Sequence, residues 1–238
     1  LSLGMGMLIT YGSYINDDNN IISSATLITL TDVGIAFLAG LIIFPFVFSS
    51  GIETQGGPGL IFQVFPKIFQ DLGGVTGIIV GSTFFILLSF AAITSTVSLL
   101  EVPVSYLVDE YNIERKYSVW IVAITILLIG IPSAFSQGKS IFFTEFITYF
   151  GSDQPIDFMQ FIIDVSNDTL LPFGGFLITI YVAYIWKKKN LTDEISKGNP
   201  SYKGSLMEKY INFSITFICP LILGSIFLLT FLNKFFGV

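Results

Sequence analysis

Residues 72–100 read LGGVTGIIVGSTFFILLSFAAITSTVSLL, a run of 29 residues without a charged side chain. An α-helix needs only about 20 apolar residues to cross the roughly 30 Å hydrocarbon core of a bilayer. The run therefore predicts a membrane-spanning helix. Charge-free runs of 18 residues or more also lie before and after it, at 33–52, 117–138, 169–186 and 210–233. Residues 1–16 look like a sixth, shorter span.

The composition of the whole chain agrees with these runs. Hydrophobic residues make up 53% of the 238 residues and charged residues 12%, about half the charged share of a soluble globular domain. The alternating pattern of an outer-membrane barrel is absent, and runs this long favour helices. We predict an all-α, polytopic transmembrane helix bundle that forms a single domain. Its helices are expected at about 1–15, 22–52, 74–108, 117–135, 164–186 and 210–233.

Basic residues indicate the orientation. If the first segment runs from outside to inside, eight of the eleven lysines and arginines lie in the loops after the third and fifth spans. The positive-inside rule makes those loops cytoplasmic and the C-terminus external.

A glycine-rich segment with an apolar interior predicts a re-entrant or surface-capping hairpin at about 56–69. Because Leu1 opens directly into an apolar run without a charged flank, the chain is expected to begin in the middle of a longer protein.

Asp32 is the one carboxylate in the second predicted helix, about ten residues or 15 Å from its start. A carboxylate at this depth costs about 2.5–3.5 kcal/mol on insertion scales, so it should face the bundle interior and hold a cation, a proton or a hydrogen-bond donor. The alternative is a structural, hydrogen-bonded aspartate near the cytoplasmic end of the helix.

Small and polar side chains recur every three or four residues along the third predicted helix. They are Ala91, Thr94, Ser95, Ser98, Glu101, Ser105 and Asp109. The adjacent hydroxyls of Thr94 and Ser95 are hard oxygen donors that suit an alkali cation. Such residues also serve ordinary helix packing in membranes, so the pattern alone leaves both interpretations open.

Several kinds of chemistry are excluded by the sequence. The chain contains no histidine, and it has no Walker loop, no HExxH and no GxSxG motif. The sequence therefore lacks the residues that metalloproteases, ATPases and histidine-dependent hydrolases need for catalysis. We predict that the protein is not an enzyme. The single cysteine, Cys219, cannot form an intrachain disulfide. The formal charge of −6 gives no reason to expect nucleic acid as a partner.

Five strings in this order carry a family resemblance: LSLGMGMLITYGSY, TDVGIAFLAGLIIFPFVF, GGPGLIFQVFPKIF, ITSTVSLLEVPVSYLVDE and DTLLPFGG. They resemble the C-terminal half of bacterial neurotransmitter:sodium symporters, from the unwound centre of the sixth membrane helix through the eleventh. The resemblance implies the second inverted repeat of the leucine-transporter fold plus one extra helix, in the inner (plasma) membrane. The hairpin at 56–69 resembles the extracellular lid of that fold. The N-terminal half of the transporter, helices 1 to 5 and half of 6, is then an expected partner.

The resemblance also implies substrate-binding residues. Ser2 matches the unwound segment whose backbone carbonyls meet the substrate amine, and Met5 and Leu99 match walls of the side-chain pocket. Ser95 is assigned to the substrate as well as to sodium. Since Met5 and Leu99 are large and apolar, the expected substrate is a neutral, hydrophobic amino acid.

Sodium ligands are implied in the same way, and sodium is the expected cofactor, with no organic one. Thr94 and Ser95 match the hydroxyl ligands of the second sodium site, and the Ala91 carbonyl matches a third ligand. Asp32 matches a first-site position that is often asparagine, and chloride-dependent members carry a serine where this chain has Ala36. We therefore expect the Asp32 carboxylate to supply the charge that chloride provides elsewhere, so that transport is chloride-independent.

Two gates follow from the resemblance. Asp164 resembles the external-gate acid that pairs with an arginine of the first helix. Asp109, with Ser13 and Tyr14, resembles the cytoplasmic gate that holds an N-terminal arginine. Both arginines are expected outside this chain, and no basic residue of the chain is expected to replace them.

These features lead to one main hypothesis for function. It is a sodium-coupled secondary active symporter with an alternating-access mechanism, of which this chain supplies the second half of each site and cannot transport alone. The alternative is a non-transporting membrane fragment or a structural or assembly subunit.

Overall fold

The computed structural model describes residues 3–49, 60–138, 140–150 and 154–237. Within these ranges the chain is helical apart from short connections and one isolated antiparallel bridge between Ile147 and Ile156. The predicted all-α fold class is therefore confirmed. The α-helices are α1 (Met7–Gly12), α2 (Ile21–Ser49), α3 (Phe65–Asp71), α4 (Gly74–Tyr111), α5 (Arg115–Phe135), α6 (Ile141–Thr144), α7 (Phe158–Ile163), α8 (Leu171–Ile180), α9 (Lys188–Gly198), α10 (Leu206–Phe213) and α11 (Cys219–Phe236).

Shorter helical segments join several of these helices. Two are 3-10 turns, Leu3–Met5 and Pro200–Tyr202. Four are π-helical, namely Leu60–Val64, Asp164–Leu170, Tyr181–Lys187 and Ser214–Ile218. In the described part of the chain, five continuous stretches are long and apolar enough to cross a membrane: Ile21–Pro45, Gly74–Tyr111, Arg115–Phe135, Phe158–Gly198 and Leu206–Phe236.

The chain forms two compact units, Ile22–Val97 and a second that combines Leu1–Ile21 with Ser98–Val238. The first unit has an apolar core of Val47, Val64, Phe65 and Ile68. The ring of Phe84 on α4 meets Phe65 edge to face, with centroids 4.9 Å apart. Part of the predicted hairpin at 56–69 belongs to this core, since 60–69 is helical; residues 56–59 lie outside the described residues.

The second unit is organised around α8, which packs on α11 and on the Leu3–Met5 turn. Phe173 of α8 stacks against Phe227 of α11 with ring centroids 4.8 Å apart. At the far end of the same span, Lys197 of α9 forms an ion pair of 3.2 Å with Asp17 in the connection after α1. The first segment is therefore attached to the middle of the stretch Phe158–Gly198, through α8, and to its end, through Lys197.

The helix predicted at about 1–15 is interrupted. Gly6 has a φ of +80°, in the left-handed region, and separates the Leu3–Met5 turn from the six-residue α1. A left-handed residue cannot continue a right-handed helix, and glycine adopts it without a steric penalty. The sequence pattern does not reveal this break because the apolar run continues across it.

A second left-handed residue shapes the end of α4. Asn112 has a φ of +52° directly after Tyr111, which is the position where asparagine commonly terminates helices. The chain then turns and α5 begins at Arg115. This short turn brings the start of α5 close to the last third of α4.

Candidate functional site

Three side chains, one from the end of the first segment and two from α4 and α5, form a charged network. Arg115 donates two hydrogen bonds to Glu101, with Nη1 3.0 Å from Oε1 and Nη2 2.7 Å from Oε2. Tyr14 donates its hydroxyl to the same Oε1 at 2.9 Å. The Glu101 side chain is only 15% exposed. A two-pronged arginine–carboxylate pair of this kind is among the stronger and more directional polar contacts in proteins.

A further hydrogen bond runs beside this network. Tyr11 donates its hydroxyl to Ser98 at 2.8 Å, one turn before Glu101 on α4. Tyr11 and Tyr14 therefore dock the first segment along one face of α4. That face is the small and polar stripe predicted from the sequence.

Ser13 and Asp109, the other two residues predicted for the cytoplasmic gate, do not belong to the Glu101 network. Ser13 caps the end of α1 by donating its hydroxyl to the Thr10 carbonyl at 2.7 Å. Asp109 is exposed and makes no hydrogen bond or ion pair with the described residues. The carboxylate that Tyr14 contacts is Glu101, so the structure does not bring Asp109, Ser13 and Tyr14 together.

A second charged network surrounds Asp164, which is 2% exposed. Its Oδ1 accepts hydrogen bonds from Gln160 Nε2 at 2.7 Å and from Lys234 Nζ. Its Oδ2 accepts one from the Tyr149 hydroxyl at 3.2 Å. Lys234 Nζ also lies 3.0 Å from Asp168 Oδ2, so one ammonium pairs with two carboxylates.

For Asp164, the expectation that no basic residue of this chain replaces the gate arginine is wrong, because Lys234 pairs with it. Lys234 lies in the last turn of α11, and α11 packs along α8, so its end reaches the end of α8 at which Asp164 lies. Burial and the neighbouring Asp164 carboxylate raise the pKa of the Tyr149 phenol. The phenol is therefore held as a proton donor to that carboxylate.

The predicted second sodium site lies on α4. The Thr94 hydroxyl donates to backbone carbonyls of its own helix, 2.9 Å from Ala91 and 3.1 Å from Phe90. Its proton is then directed at the helix, while its lone pairs stay available beside the Ala91 carbonyl. Ala91, Thr94 and Ser95 are all exposed in this chain, so a ligand from elsewhere could complete the coordination.

Asp32 lies well inside α2 and is exposed. It forms no hydrogen bond and no ion pair with the described part of the chain, and no hydrogen bond joins it to Thr94 or Ser95. The alternative of a structural, hydrogen-bonded aspartate thus gains no support. A carboxylate within a membrane-spanning stretch is costly unless it is paired.

Two of the predicted substrate residues, Met5 and Leu99, lie in the unit that contains the broken first segment. Met5 ends the 3-10 turn and is 37% exposed, and Leu99 on α4 is 39% exposed. Ser2 lies outside the described residues. The two apolar side chains are therefore accessible, and Leu99 follows Ser98, to which α1 is hydrogen-bonded.

Comparison with known proteins adds the family to this geometry. The family model described as "Sodium:neurotransmitter symporter family" matches residues 1–235. The chain belongs to this family. The chain is therefore a multi-pass membrane protein of a family of transporters, as the five long apolar stretches in its described part also indicate.

Named relatives support the assignment. A sodium-dependent transporter of Bacillus subtilis is 33% identical over 228 residues, which covers 96% of this chain and 48% of the relative. A sodium-dependent transporter of Haemophilus influenzae is 33% identical, covering 96% of this chain and 47% of the relative. The sodium-dependent serotonin transporter of Drosophila melanogaster is 28% identical over 68% of this chain and 27% of its own length. The chain spans about half the length of the bacterial relatives, and no solved structure matches it.

Six residues of this symporter-family chain enter its charged networks without having been assigned a role from the sequence: Glu101, Arg115, Tyr149, Gln160, Asp168 and Lys234. Glu101 had a signal, since it falls on the polar stripe of α4. Arg115 and Lys234 had been used only to orient the chain. Their partners could not be found from spacing, because each pair joins different helices.

Proposed function

We propose that this chain supplies half of a sodium-coupled symporter that takes up a neutral, hydrophobic amino acid by alternating access. The observation that carries the proposal is the presence of two separate carboxylate–cation networks, one around Asp164 near the start of the stretch Phe158–Gly198 and one around Glu101 in the last third of α4. Asp164 and Lys187 are up to roughly 35 Å apart along the stretch Phe158–Gly198. Beyond Lys187, Lys197 pairs with Asp17, close in sequence to Tyr14 of the other network.

Such networks have the properties expected of gates. A salt bridge closes a pathway when it forms and opens it when it breaks, and each closure at one end must accompany opening at the other in alternating access. We assign Asp164 to the external gate and the Tyr14–Glu101–Arg115 network, together with Asp109 and Ser13, to the cytoplasmic gate. Arginines from the N-terminal half of the transporter remain the proposed partners of Asp164 and Asp109.

Sodium is proposed to bind at two places. The Ala91 carbonyl and the hydroxyls of Thr94 and Ser95 offer hard oxygen ligands of the type that suit alkali and alkaline-earth cations. Asp32 offers a carboxylate that lacks a partner in the described chain. Because Asp32 brings its own negative charge and Ala36 brings no hydroxyl, we propose that transport does not require chloride.

The substrate is proposed to lie at the break in the first segment. Backbone groups around Ser2 would bind its charged amino-acid end, with Ser95 as a further ligand, and the side chains of Met5 and Leu99 would contact its apolar side chain. If sodium binds more tightly to the outward-open state than to the inward-open one, its gradient drives uptake. The C-terminus is proposed to be external, on the same side as the Asp164 gate.

The test uses the full-length protein in proteoliposomes with an inward sodium gradient and a panel of labelled neutral amino acids. We expect sodium-driven uptake that is abolished by the double substitution Thr94→Ala and Ser95→Ala. Thr96→Ala is the matched control, because Thr96 also donates its hydroxyl to its own helix, at 2.8 Å from the Ala92 carbonyl, but is not assigned to the site.

Two results would contradict the proposal. Absence of sodium-driven uptake of every amino acid tested would favour the alternative of a structural or assembly subunit. Normal uptake by the double variant would keep the transporter function but remove the assigned sodium site.

A further inference from the structure

The Leu3–Met5 turn and α8 are in direct backbone contact. A Cβ built on Gly174 would overlap the Gly4 carbonyl oxygen and lie 3.3 Å from the Gly4 carbonyl carbon. A Cβ built on Gly4 would overlap the Leu171 carbonyl oxygen and lie 3.1 Å from the Gly175 nitrogen. No side chain can therefore be accommodated between the two backbones.

At the contact between the turn and α8, this constraint applies to Gly4 and Gly174. A Cβ on the neighbouring Gly175 would meet only the side chain of Leu223, at 3.5 Å, which is an ordinary contact. A Cβ on Gly12, in the same segment as Gly4, would have no atom within 4 Å. Each of the two critical glycines thus has a permissive glycine nearby in the same segment.

The side of the contact formed by α8 is fixed. Its Phe173 stacks on Phe227 of α11, and a Cβ on Gly224 of α11 would lie 3.2 Å from the Phe176 ring. The turn has a more adjustable support, because Gly6, with its left-handed φ of +80°, follows it immediately. If the contact is crowded, the turn is the part that moves.

We propose that Gly4 and Gly174 are positioning residues that set where the turn, and with it Met5, lies relative to α8. The proposal rests on the proposed function, in which this turn borders the substrate. A methyl group on Gly174 would push the turn away by about 1 Å to restore an ordinary contact distance. A displacement of about 1 Å at a binding site can cost up to about 100-fold in rate. The effect should fall on substrate recognition because Met5 and the carbonyls of the turn move together.

The experiment compares Gly174→Ala and Gly4→Ala with the control variants Gly175→Ala and Gly12→Ala in the full-length transporter. Uptake kinetics in proteoliposomes give KM and kcat for the amino acid. The same four substitutions are also introduced beside Met5→Cys, and the rate at which a water-soluble maleimide labels the introduced cysteine is measured. Labelling does not depend on transport, so it tests the position of the turn even if the proposed substrate is wrong.

We expect Gly174→Ala and Gly4→Ala to raise KM about 10-fold or more, with a smaller effect on kcat, and to change the labelling rate of the introduced cysteine. Both controls should stay within about twofold of the parent protein. If all four variants have the same KM and the same labelling rate as the parent protein, the inference is wrong. If Gly174→Ala and Gly4→Ala fail to fold while the controls fold, the contact sustains folding and not positioning, and the inference is likewise overturned. If the parent protein shows no uptake but labelling changes as expected, the proposed function fails and the positioning role stands.

Discussion

Lys234→Met tests how strongly the Asp164 network joins the end of α11 to the start of the α8 span. The substitution removes the ammonium but keeps an unbranched side chain of similar length. Asp164, whose side chain is 3% exposed, is then left with hydrogen bonds from Gln160 and Tyr149 alone. Most of the loss in the free energy of unfolding comes from leaving a buried carboxylate without its cation.

The size of the effect can be bounded from the surroundings. Removing one partner of a fully buried ion pair costs about 3–5 kcal/mol. Lys234 is 32% exposed, and the two remaining hydrogen bonds to the carboxylate are each worth about 1.5–3 kcal/mol. We therefore expect Lys234→Met to lower the free energy of unfolding by about 2–3 kcal/mol.

The matched control is Lys203→Met. Lys203 pairs with Asp193 at 3.3 Å, but their side chains are 66% and 48% exposed. An exposed pair of this kind contributes about 0–1 kcal/mol. The comparison therefore separates the effect of burial from the general effect of losing a lysine.

The assay is an unfolding titration of the full-length protein in mixed detergent micelles with increasing SDS. Lys234→Arg should retain most of the stability, and Asp164→Asn combined with Lys234→Met should recover part of the loss, because the unpaired charge is then removed. The reasoning is refuted if Lys234→Met costs no more than Lys203→Met. It is also refuted if adding Asp164→Asn recovers none of the lost stability.

Two more predictions concern Asp32 and Tyr149. Initial rates of sodium-driven uptake should be equal in chloride and gluconate media, since the Asp32 carboxylate supplies the negative charge; a strict chloride requirement would contradict this. The raised pKa of Tyr149 means that its hydrogen bond to Asp164 contributes stability below about pH 10, the usual tyrosine value, and is lost only at higher pH, as the phenol ionises in the folded protein. Ultraviolet difference titration of the wild type against Tyr149→Phe should therefore show no tyrosinate step near pH 10, and a step there would refute the assignment.

Much of the helical architecture follows from the sequence because it depends on local properties. The length of the charge-free run at 72–100 predicts α4, and the three- and four-residue spacing places Ser98 and Glu101 on one face of it. Tyr11 and Tyr14 do contact that face. These features need no knowledge of how the helices are arranged.

The charged networks could not be predicted in the same way. Asp164 and Lys234 meet because α8 and α11 pack lengthwise, and Arg115 reaches Glu101 because Asn112 turns the chain between α4 and α5. The family resemblance implies an unwound segment at Ser2, but the apolar run alone does not locate the break at Gly6, since glycine in such a run is compatible with both a continuous and an interrupted helix. Which side chains meet between two helices depends on how the helices pack, and residue spacing along one helix does not determine it.

The contact between Gly4 and Gly174 has a genetic consequence. Glycine is the one amino acid without a Cβ, so every missense change in codon 4 or codon 174 places a carbon where a backbone oxygen already lies. Such codons have freedom only in the third base. Codons 12 and 175 also encode glycine, but a Cβ at these positions meets no backbone atom. We therefore expect alanine codons to be tolerated at 12 and 175 and not at 4 and 174.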